Sequence, residues 1–340
     1  MTDIFIKSFN RPYYLDRCLH SVFTNVSGNF QVTVLDDGTP EKYLQKIKEK
    51  YPRVLMVMSK SSSQKAKAIE ENLSSGKEID GFSIPTDLWS DAAKNASDYF
   101  IMSEDDVWFS EKINLDELVA DCAKYDIYLL KLGWLGNFKD DRDLDIDRLN
   151  DKINFAVPLK LFLKNESIMN AFFYNRFKFF TLLYKLGMVD NHTRHRYWAL
   201  NSILMGLYKK EYWLRIWEGM DGKVDEKRQL INASVYYKNH RKNRNFIARL
   251  KKEAMKTTFQ SSATNSYHKY GQDFDVNLFN HQINEAWYKG EFDSLQNFPK
   301  DFTPDYCIEF LDQRIDRAAL ISWIESFKKQ YREMGCNVEN

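Results

Sequence analysis

A short apolar run, Tyr99-Phe-Ile-Met-Ser103, ends abruptly on three consecutive carboxylates, Glu104, Asp105 and Asp106, before an apolar Val107-Trp-Phe109 resumes. Its length and composition read as a buried strand. Like charges at the end of a strand core repel one another, and burial raises their pKa values, so keeping them ionised requires a cation or a rich set of donors. Hard divalent ions such as Mg²⁺ and Mn²⁺ take oxygen ligands and often use only one or two carboxylates, with phosphate oxygens and water completing the shell. Ligands of α/β sheets bind beyond the carboxyl ends of the strands, which makes the triplet a candidate metal-diphosphate site. It reads equally well as a solvated acidic turn leading into a helix over Ser110 to Cys122.

The residues upstream supply a partner for this turn. Ile4-Phe5-Ile6 begins a strand, and Pro12 is placed for the first turn of a helix whose Leu15, Leu19, Val22 and Phe23 recur at helical spacing. Gln31-Val-Thr-Val-Leu35 is a second strand, ending at Asp36-Asp37-Gly38. Two strands around one helix make a βαβ unit, whose handedness puts both strand ends on the same edge of the sheet. Asp36, Asp37 and the later triplet then line one crevice.

Ser8-Phe-Asn-Arg-Pro-Tyr-Tyr-Leu-Asp-Arg-Cys-Leu-His-Ser-Val22, followed by Val34-Leu-Asp-Asp-Gly38 and a strand ending in Glu104-Asp105-Asp106, resembles the nucleotide-sugar domain of GT-A glycosyltransferases, especially family 2. The resemblance implies an α/β fold of the Rossmann-like nucleotide-diphospho-sugar transferase type, a mixed sheet flanked by helices. It also implies a nucleotide site built from Ser8, Asn10, Arg11, Asp36, Asp37, Glu104 and Asp105. Asp105 would serve the ribose or a metal-bound water, and Asp106 would hold Mn²⁺ or Mg²⁺ directly. The Glu-Asp-Asp form is also familiar from N-acetylglucosaminyltransferases of this fold. The activity implied is transfer of a sugar from a nucleoside diphosphate donor, UDP-linked by expectation, to a hydroxyl of a glycan or lipid-linked glycan, with inversion. The alternatives are a non-catalytic glycan-binding or complex-forming relative and a sugar nucleotidyltransferase.

The residues bear on these rivals. Leu35-Asp-Asp-Gly-Thr39 looks like the start of a haloacid-dehalogenase phosphatase, but the nucleophile would fall at position 35, and leucine has no nucleophilic oxygen. A nucleotidyltransferase would need a glycine-rich loop for the triphosphate after the first strand, and Phe5 to Tyr14 contains no glycine. Between the acidic turns, Glu41 to Tyr51 reads as a helix and Val54 to Met58 as a strand. The serine-rich Ser59 to Lys67 follows; by resemblance, Lys65 or Lys67 serves the nucleotide, whereas composition alone suggests solvated lysines.

Past the triplet, Ile127 to Leu132 reads as a buried strand ending at Gly133-Trp134. Trp134 could stack on a sugar or simply fill core. Lys139 to Asp151, dense in alternating charge, reads as a surface excursion. In Asn170 to Val189, aromatic and aliphatic residues cover too much of a helix for one buried stripe, so part of that surface needs a domain core, a dimer contact, or a lipid-linked acceptor or membrane surface. Asp225-Glu226, opening a helix over Lys227 to Ala233, stand where the resembled family keeps the catalytic carboxylate that accepts the acceptor's proton. Their order is reversed relative to the common Glu-Asp, Glu218 and Asp221 lie close by, and an acidic helix start is also favourable on dipole grounds alone. Lys238 to Lys256 is a basic patch that fits an amphipathic helix. The resemblance further implies a late histidine as a second metal ligand, with His268 the first candidate and His240 the second.

The expected division is a GT-A catalytic domain over residues 1–240, with a nucleotide half to about 110 and an acceptor half from 111, followed by a mainly helical subdomain over 241–340. With 49 basic and 48 acidic residues the net charge is +1, which provides no overall drive towards nucleic acid. Cys18, Cys122, Cys307 and Cys336 form no Cys-x-x-Cys pair, and the chain opens on a strand rather than a signal peptide. These features point to the cytoplasm, with peripheral contact to the inner membrane face and a homodimer as open options.

Overall fold

The computed structural model describes residues 1–76, 83–137, 143–202, 204–261 and 274–338. Its strands are β1 (Thr2–Ser8), β2 (Val26–Ser27), β3 (Phe30–Asp36), β4 (Leu55–Met58), β5 (Tyr99–Glu104), β6 (Val107–Phe109), β7 (Ile113–Asn114), β8 (Leu129–Lys131), β9 (Leu144–Arg148), β10 (Ile153–Pro158), β11 (Gly206–Lys209), β12 (Ile247–Leu250) and β13 (Met255–Thr257). The helices are α1 (Pro12–Asn25), α2 (Glu41–Lys50), α3 (Ser62–Ser75), α4 (Thr86–Asn95), α5 (Leu115–Lys124), α6 (Glu166–Phe173), α7 (Phe179–Lys185), α8 (Lys210–Ile216), α9 (Glu226–His240), α10 (Val276–Lys289), α11 (Pro304–Ile308) and α12 (Arg317–Met334).

One nine-stranded sheet runs in the order β4-β3-β1-β5-β11-β8-β12-β10-β9. The pairs β4-β3, β3-β1 and β1-β5 are parallel; β11 is antiparallel to both β5 and β8, and β8 is parallel to β12. The carboxyl ends of β1, β3, β5 and β8 therefore share one edge. This is the mixed, helix-flanked sheet expected of a GT-A fold.

Side-chain alternation builds a core on each face. Ile4, Ile6, Val34 and Ile101 pack with Leu15 and Leu19 of α1, Ile47 of α2, Ile283 and Trp287 of α10 and Trp323 of α12. Phe5, Leu35, Phe100 and Met102 face the other way, onto Trp89 of α4, Trp213 of α8 and Ile231 of α9.

Four local expectations are corrected. The acidic triplet does not run straight into a helix, because β6 intervenes and pairs with β13, Trp108 opposite Lys256. The charged stretch after Lys139 contains an edge strand, β9, paired with β10; its charge alternation is the period of two of a half-buried strand, with Leu144 buried and Asp145 and Asp147 exposed. The basic segment from Lys238 is not a helix beyond His240: Ile247 and Ala248 are buried in β12 between β8 and β10, so sheet pairing overrides the helical pattern. The aromatic segment is not one helix either, since Asn175, Phe177 and Lys178 adopt left-handed backbone between α6 and α7. β12 also carries the main sheet past residue 240, and the C-terminal helices begin at Val276. Among the described residues no helix is long and apolar enough to cross a membrane.

Candidate active site

The two acidic turns meet at the end of β1. Register places Ser8 opposite Asp36 on β3 and Lys7 opposite Glu104 on β5. The Ser8 carbonyl accepts from the Asp37 amide at 2.9 Å, and the next amide, that of Phe9, donates to Asp105 Oδ2 at 3.1 Å. A single peptide thus links turns that lie far apart in the chain.

In the first turn, Asp36 is fully buried and holds its own loop: Oδ1 accepts from the Gly38 and Thr39 amides, both at 2.9 Å, and Oδ2 from the Thr39 hydroxyl at 2.6 Å. Burial pushes its pKa up to about 6, against the pull of those donors. Asp37 is instead ion-paired with Lys65 on α3. Burial raises its pKa, with Lys65 acting in the opposite sense. Gly38 makes this possible, because its φ is +130° and a Cβ there would lie 2.7 Å from Lys65 Cβ. Lys65 is buried at the start of α3 and also donates to the Ser83 carbonyl at 2.8 Å, so the solvated-lysine reading of the serine-rich segment is overturned. Lys67 is exposed.

In the second turn, Asp105 and Asp106 are buried and share one cation. Arg11 forks between them, Nη1 donating to Asp106 Oδ2 at 2.8 Å and Nη2 to Asp105 Oδ1. Burial nevertheless pushes Asp105 up to about 7, with Arg11 lowering and Asp106 raising it; Asp106 is raised by its own burial, with Arg11 lowering and Glu104 raising it. Asp106 Oδ1 is buried without a hydrogen-bond partner among the described residues, as are Ser8 Oγ at the end of β1 and Asp37 Oδ1 in the first turn. A buried, unpartnered carboxylate oxygen is a costly arrangement that a cation would relieve. Among the described residues no three His, Cys, Asp or Glu side chains converge as metal ligands. The unpartnered Asp106 oxygen is the donor type that a hard cation takes, with phosphate oxygens and water able to complete its shell.

Other expected residues divide. Asn10, in left-handed backbone at φ 52°, belongs to a structural knot: its amide donates to Thr39 Oγ1 at 2.8 Å and its side chain to Asn277 Oδ1 at 3.0 Å, while Asn284 donates to its carbonyl. Trp134 stands just past the end of β8 on the crevice edge, with the Arg249 guanidinium 4.6 Å from its ring centroid. Asp225 caps α9, accepting from the Arg228 amide at 3.0 Å, and its other oxygen accepts from the Tyr174 hydroxyl. Glu226 follows at the surface, with its pKa raised by partial desolvation of the carboxylate and by Asp225. The loop before them reaches the donor side: Ile84 donates to the Gly222 carbonyl at 2.9 Å, one residue from the Ser83 that Lys65 contacts. His268 lies outside the described residues. His240 sits at the end of α9 against Tyr128 and Phe246, at the opposite sheet edge from Asp106, so the two could not ligate one ion.

Two features were not read from the sequence. Lys7 is buried at the end of β1, 2.6 Å from Glu104 Oε1 and 4.7 Å from the Trp89 ring centroid, with Trp217 also near. A lone lysine closing an apolar strand next to an acidic strand end is the signal that marks it. Helix α1, the most specific part of the resemblance, spends its polar residues on the C-terminal elements. Asp16 accepts from Trp287 Nε1 at 2.8 Å and Ser294 Oγ at 2.6 Å, and Arg17 donates to the Ser294 carbonyl at 2.9 Å. Tyr13 and Tyr14 hydroxyls reach Asn280 and Asp301.

Residues 3–74 match the family described as Glycosyl transferase family 2. No curated protein sequence matches the chain. Among solved structures, S. aureus TarS residues 1–349 in complex with UDP-GlcNAc is 13% identical, with 98% of this chain and 92% of that one covered and a TM-score of 0.42. The chain spans 55% of the longer S. aureus TarS structure. The galactosyltransferase LgtC with donor and acceptor sugar analogs is 12% identical, over 75% of this chain and 86% of that one, at a TM-score of 0.35. The mannosyltransferase PcManGT from Pyrobaculum calidifontis, in complex with GDP-Man and Mn²⁺, is 8% identical over 98% and 76%, at 0.36.

Proposed function

We propose that this chain is a metal-dependent glycosyltransferase that moves a sugar from a nucleoside diphosphate donor, UDP-linked, to a hydroxyl of a glycan or lipid-linked glycan, with inversion at the anomeric carbon. The observation that carries this reading is the buried, unpartnered Asp106 Oδ1 at the strand edge where the Asp37 turn and the Arg11 fork meet. The match of residues 3–74 to the family supports it.

Asp106 would hold Mn²⁺ or Mg²⁺, and the ion would supply positive charge to the departing diphosphate. Ser8, Asp37, Lys65, Glu104 and Asp105 bind the nucleoside, with Lys65 fixing the Asp37 carboxylate. Arg11 works against the upward pKa shift that burial imposes on Asp105 and Asp106 and sets the direction of both carboxylates. On the acceptor side, Asp225 or Glu226 takes the proton of the attacking hydroxyl as its oxygen bonds to the anomeric carbon and the bond to the diphosphate breaks. Trp134 offers a ring at the crevice edge for a sugar face. In this division, residues 1–110 hold the donor and 111–240 the acceptor, while the helices from Val276 brace the Asn10-Arg11 turn.

The decisive experiment is Asp106→Asn, followed by calorimetry of UDP with and without Mn²⁺. Loss of metal-dependent UDP binding with the fold unchanged is expected, and binding equal to the parent protein would refute the assignment. Because the Asp225 carboxylate is already engaged by Tyr174 and the helix cap, a second reading is a non-catalytic glycan-binding relative. Release of UDP from a panel of nucleotide sugars separates the two.

A further inference from the structure

The segment between α6 and the residues after α7 departs from the rest of the surface. Phe172, Phe173, Leu183 and Val189 are buried and anchor it, but Phe177 is 99% exposed, Leu182 54%, Leu186 63% and Met188 64%, with Tyr174 and Tyr184 also exposed. Solvent-exposed aliphatic and aromatic side chains at this density are not an ordinary surface. The left-handed backbone at Asn175, Phe177 and Lys178 turns the chain at the tip that carries Phe177.

Charge identifies what covers these residues. From Ser167 to Val189 there is no acidic residue, while Arg176, Lys178 and Lys185 are interspersed with the apolar ones. All three cations are exposed, and none forms an ion pair among the described residues. Lys227 lies on the same side, 5.8 Å from the Tyr174 ring centroid, but is offset there by Asp225 and Glu226, so the local positive charge rests on the three cations of the segment. In a chain of net charge +1, this is a local concentration of positive charge. A self-association face of this kind would bring like charges together, and a protein partner would need its own acidic, greasy patch. An anionic bilayer surface satisfies both halves at once: aromatic and aliphatic side chains enter the boundary between headgroups and acyl chains, and lysine and arginine meet lipid phosphates.

We propose that residues 174–188 dock this protein on anionic lipid bilayers, with Phe177, Leu182, Leu186 and Met188 inserting and Arg176, Lys178 and Lys185 pairing with headgroups. The docking does not depend on the transferase reading. It does place the bilayer beside α9, since Tyr174 donates to Asp225 at the start of that helix. An acceptor carried on a lipid would then arrive at the side of the chain where the Asp225-Glu226 carboxylates stand.

The test is co-sedimentation of the full chain with phosphatidylcholine vesicles prepared with and without phosphatidylglycerol, alongside light scattering of the protein alone. Each basic residue at a charged surface contributes about a fivefold gain in partitioning, so the three cations together favour the anionic vesicles by about a hundredfold, an advantage that shrinks as salt rises. A triple reversal, Arg176→Glu, Lys178→Glu and Lys185→Glu, should abolish that preference. Phe177→Ser with Leu182→Ser should reduce binding about tenfold or more at unchanged charge, with the circular dichroism melt unchanged because both side chains are exposed. Sedimentation indifferent to phosphatidylglycerol, or unchanged in either variant, would overturn the proposal. So would a dimer in solution that Phe177→Ser dissociates, which would assign the face to a second copy.

Discussion

Replacing Arg11 with methionine isolates the electrostatic role at the centre of the site. Arg11 is 4% exposed, and its guanidinium pairs with Asp105 and Asp106, which are also buried. Two unit charges about 4 Å apart attract by about 4 kcal/mol at an effective dielectric of about 20. The desolvation already incurred by all three groups offsets much of that attraction, so the pairs themselves add little to stability. Removing one partner is a different matter: it leaves two carboxylates buried without a cation, and the expected loss is about 3–5 kcal/mol. Methionine preserves most of the volume, so packing loss stays small. Urea denaturation measures the change, provided the slope is the same as for the parent protein. The charge origin is then tested by adding Asp105→Asn. If uncompensated carboxylates are the cause, the double variant recovers about 1–3 kcal/mol relative to Arg11→Met alone, a coupling read directly from the cycle. Mn²⁺ should stabilise Arg11→Met more than the parent, since it supplies the missing positive charge at Asp106. An Arg11→Met cost below about 1 kcal/mol, within the range of exposed ion pairs, or no recovery on adding Asp105→Asn, would refute the reasoning.

The remaining predictions address the brace, the first turn and the acceptor side. Asp16 keeps its pKa below the usual carboxylate range: burial would raise it, but hydrogen bonds from Lys50, Ser294 and Tyr51 outweigh that effect. Its contribution to stability is therefore full above the unfolded-state pKa of about 4 and disappears as pH falls through the lower folded value; Asp16→Asn should flatten that acid limb in a pH series of denaturation midpoints, and an unchanged limb would count against it. Gly38→Ala should cost about 1–3 kcal/mol from the +130° backbone and the 2.7 Å approach to Lys65, and weaken UDP binding by separating Lys65 from Asp37; full affinity in calorimetry would remove Lys65 from the site. Glu226→Gln should lower transfer by about 10²–10⁴-fold with UDP affinity kept, if it is the base. Asp225→Ala should cost about 1 kcal/mol as a lost helix cap, and if it alone abolishes transfer, the base is Asp225.

Much of the donor half could be read from local signals. The apolar run Ile4-Phe5-Ile6 and the Val-Thr-Val alternation before Leu35 mark buried strands, Pro12 marks a helix start, and the Asp-Asp-Gly and Glu-Asp-Asp turns end strands that a right-handed crossover puts on one edge. Each of these signals lies within a few residues of the structure it predicts, so no tertiary information was needed. The same locality misled at Lys238 to Lys256, where a helical pattern became β12 because β8 and β10 were there to pair with it. It also misled at Lys65, whose burial depends on a glycine 27 positions earlier.

Which carboxylate has which task was decided only in three dimensions. Asp36 and Asp37 are adjacent and chemically identical, yet one closes its own turn and the other faces Lys65. Glu104 was assigned to Lys7, and Asp105 and Asp106 to Arg11, by strand pairing between residues more than ninety positions apart. The sequence alone determined that strands would end in acid on one edge, because backbone periodicity and turn chemistry are short-range. The tertiary structure decided which of those acids kept an oxygen without a partner, because burial and ion pairing depend on neighbours that chain folding brings from a distance.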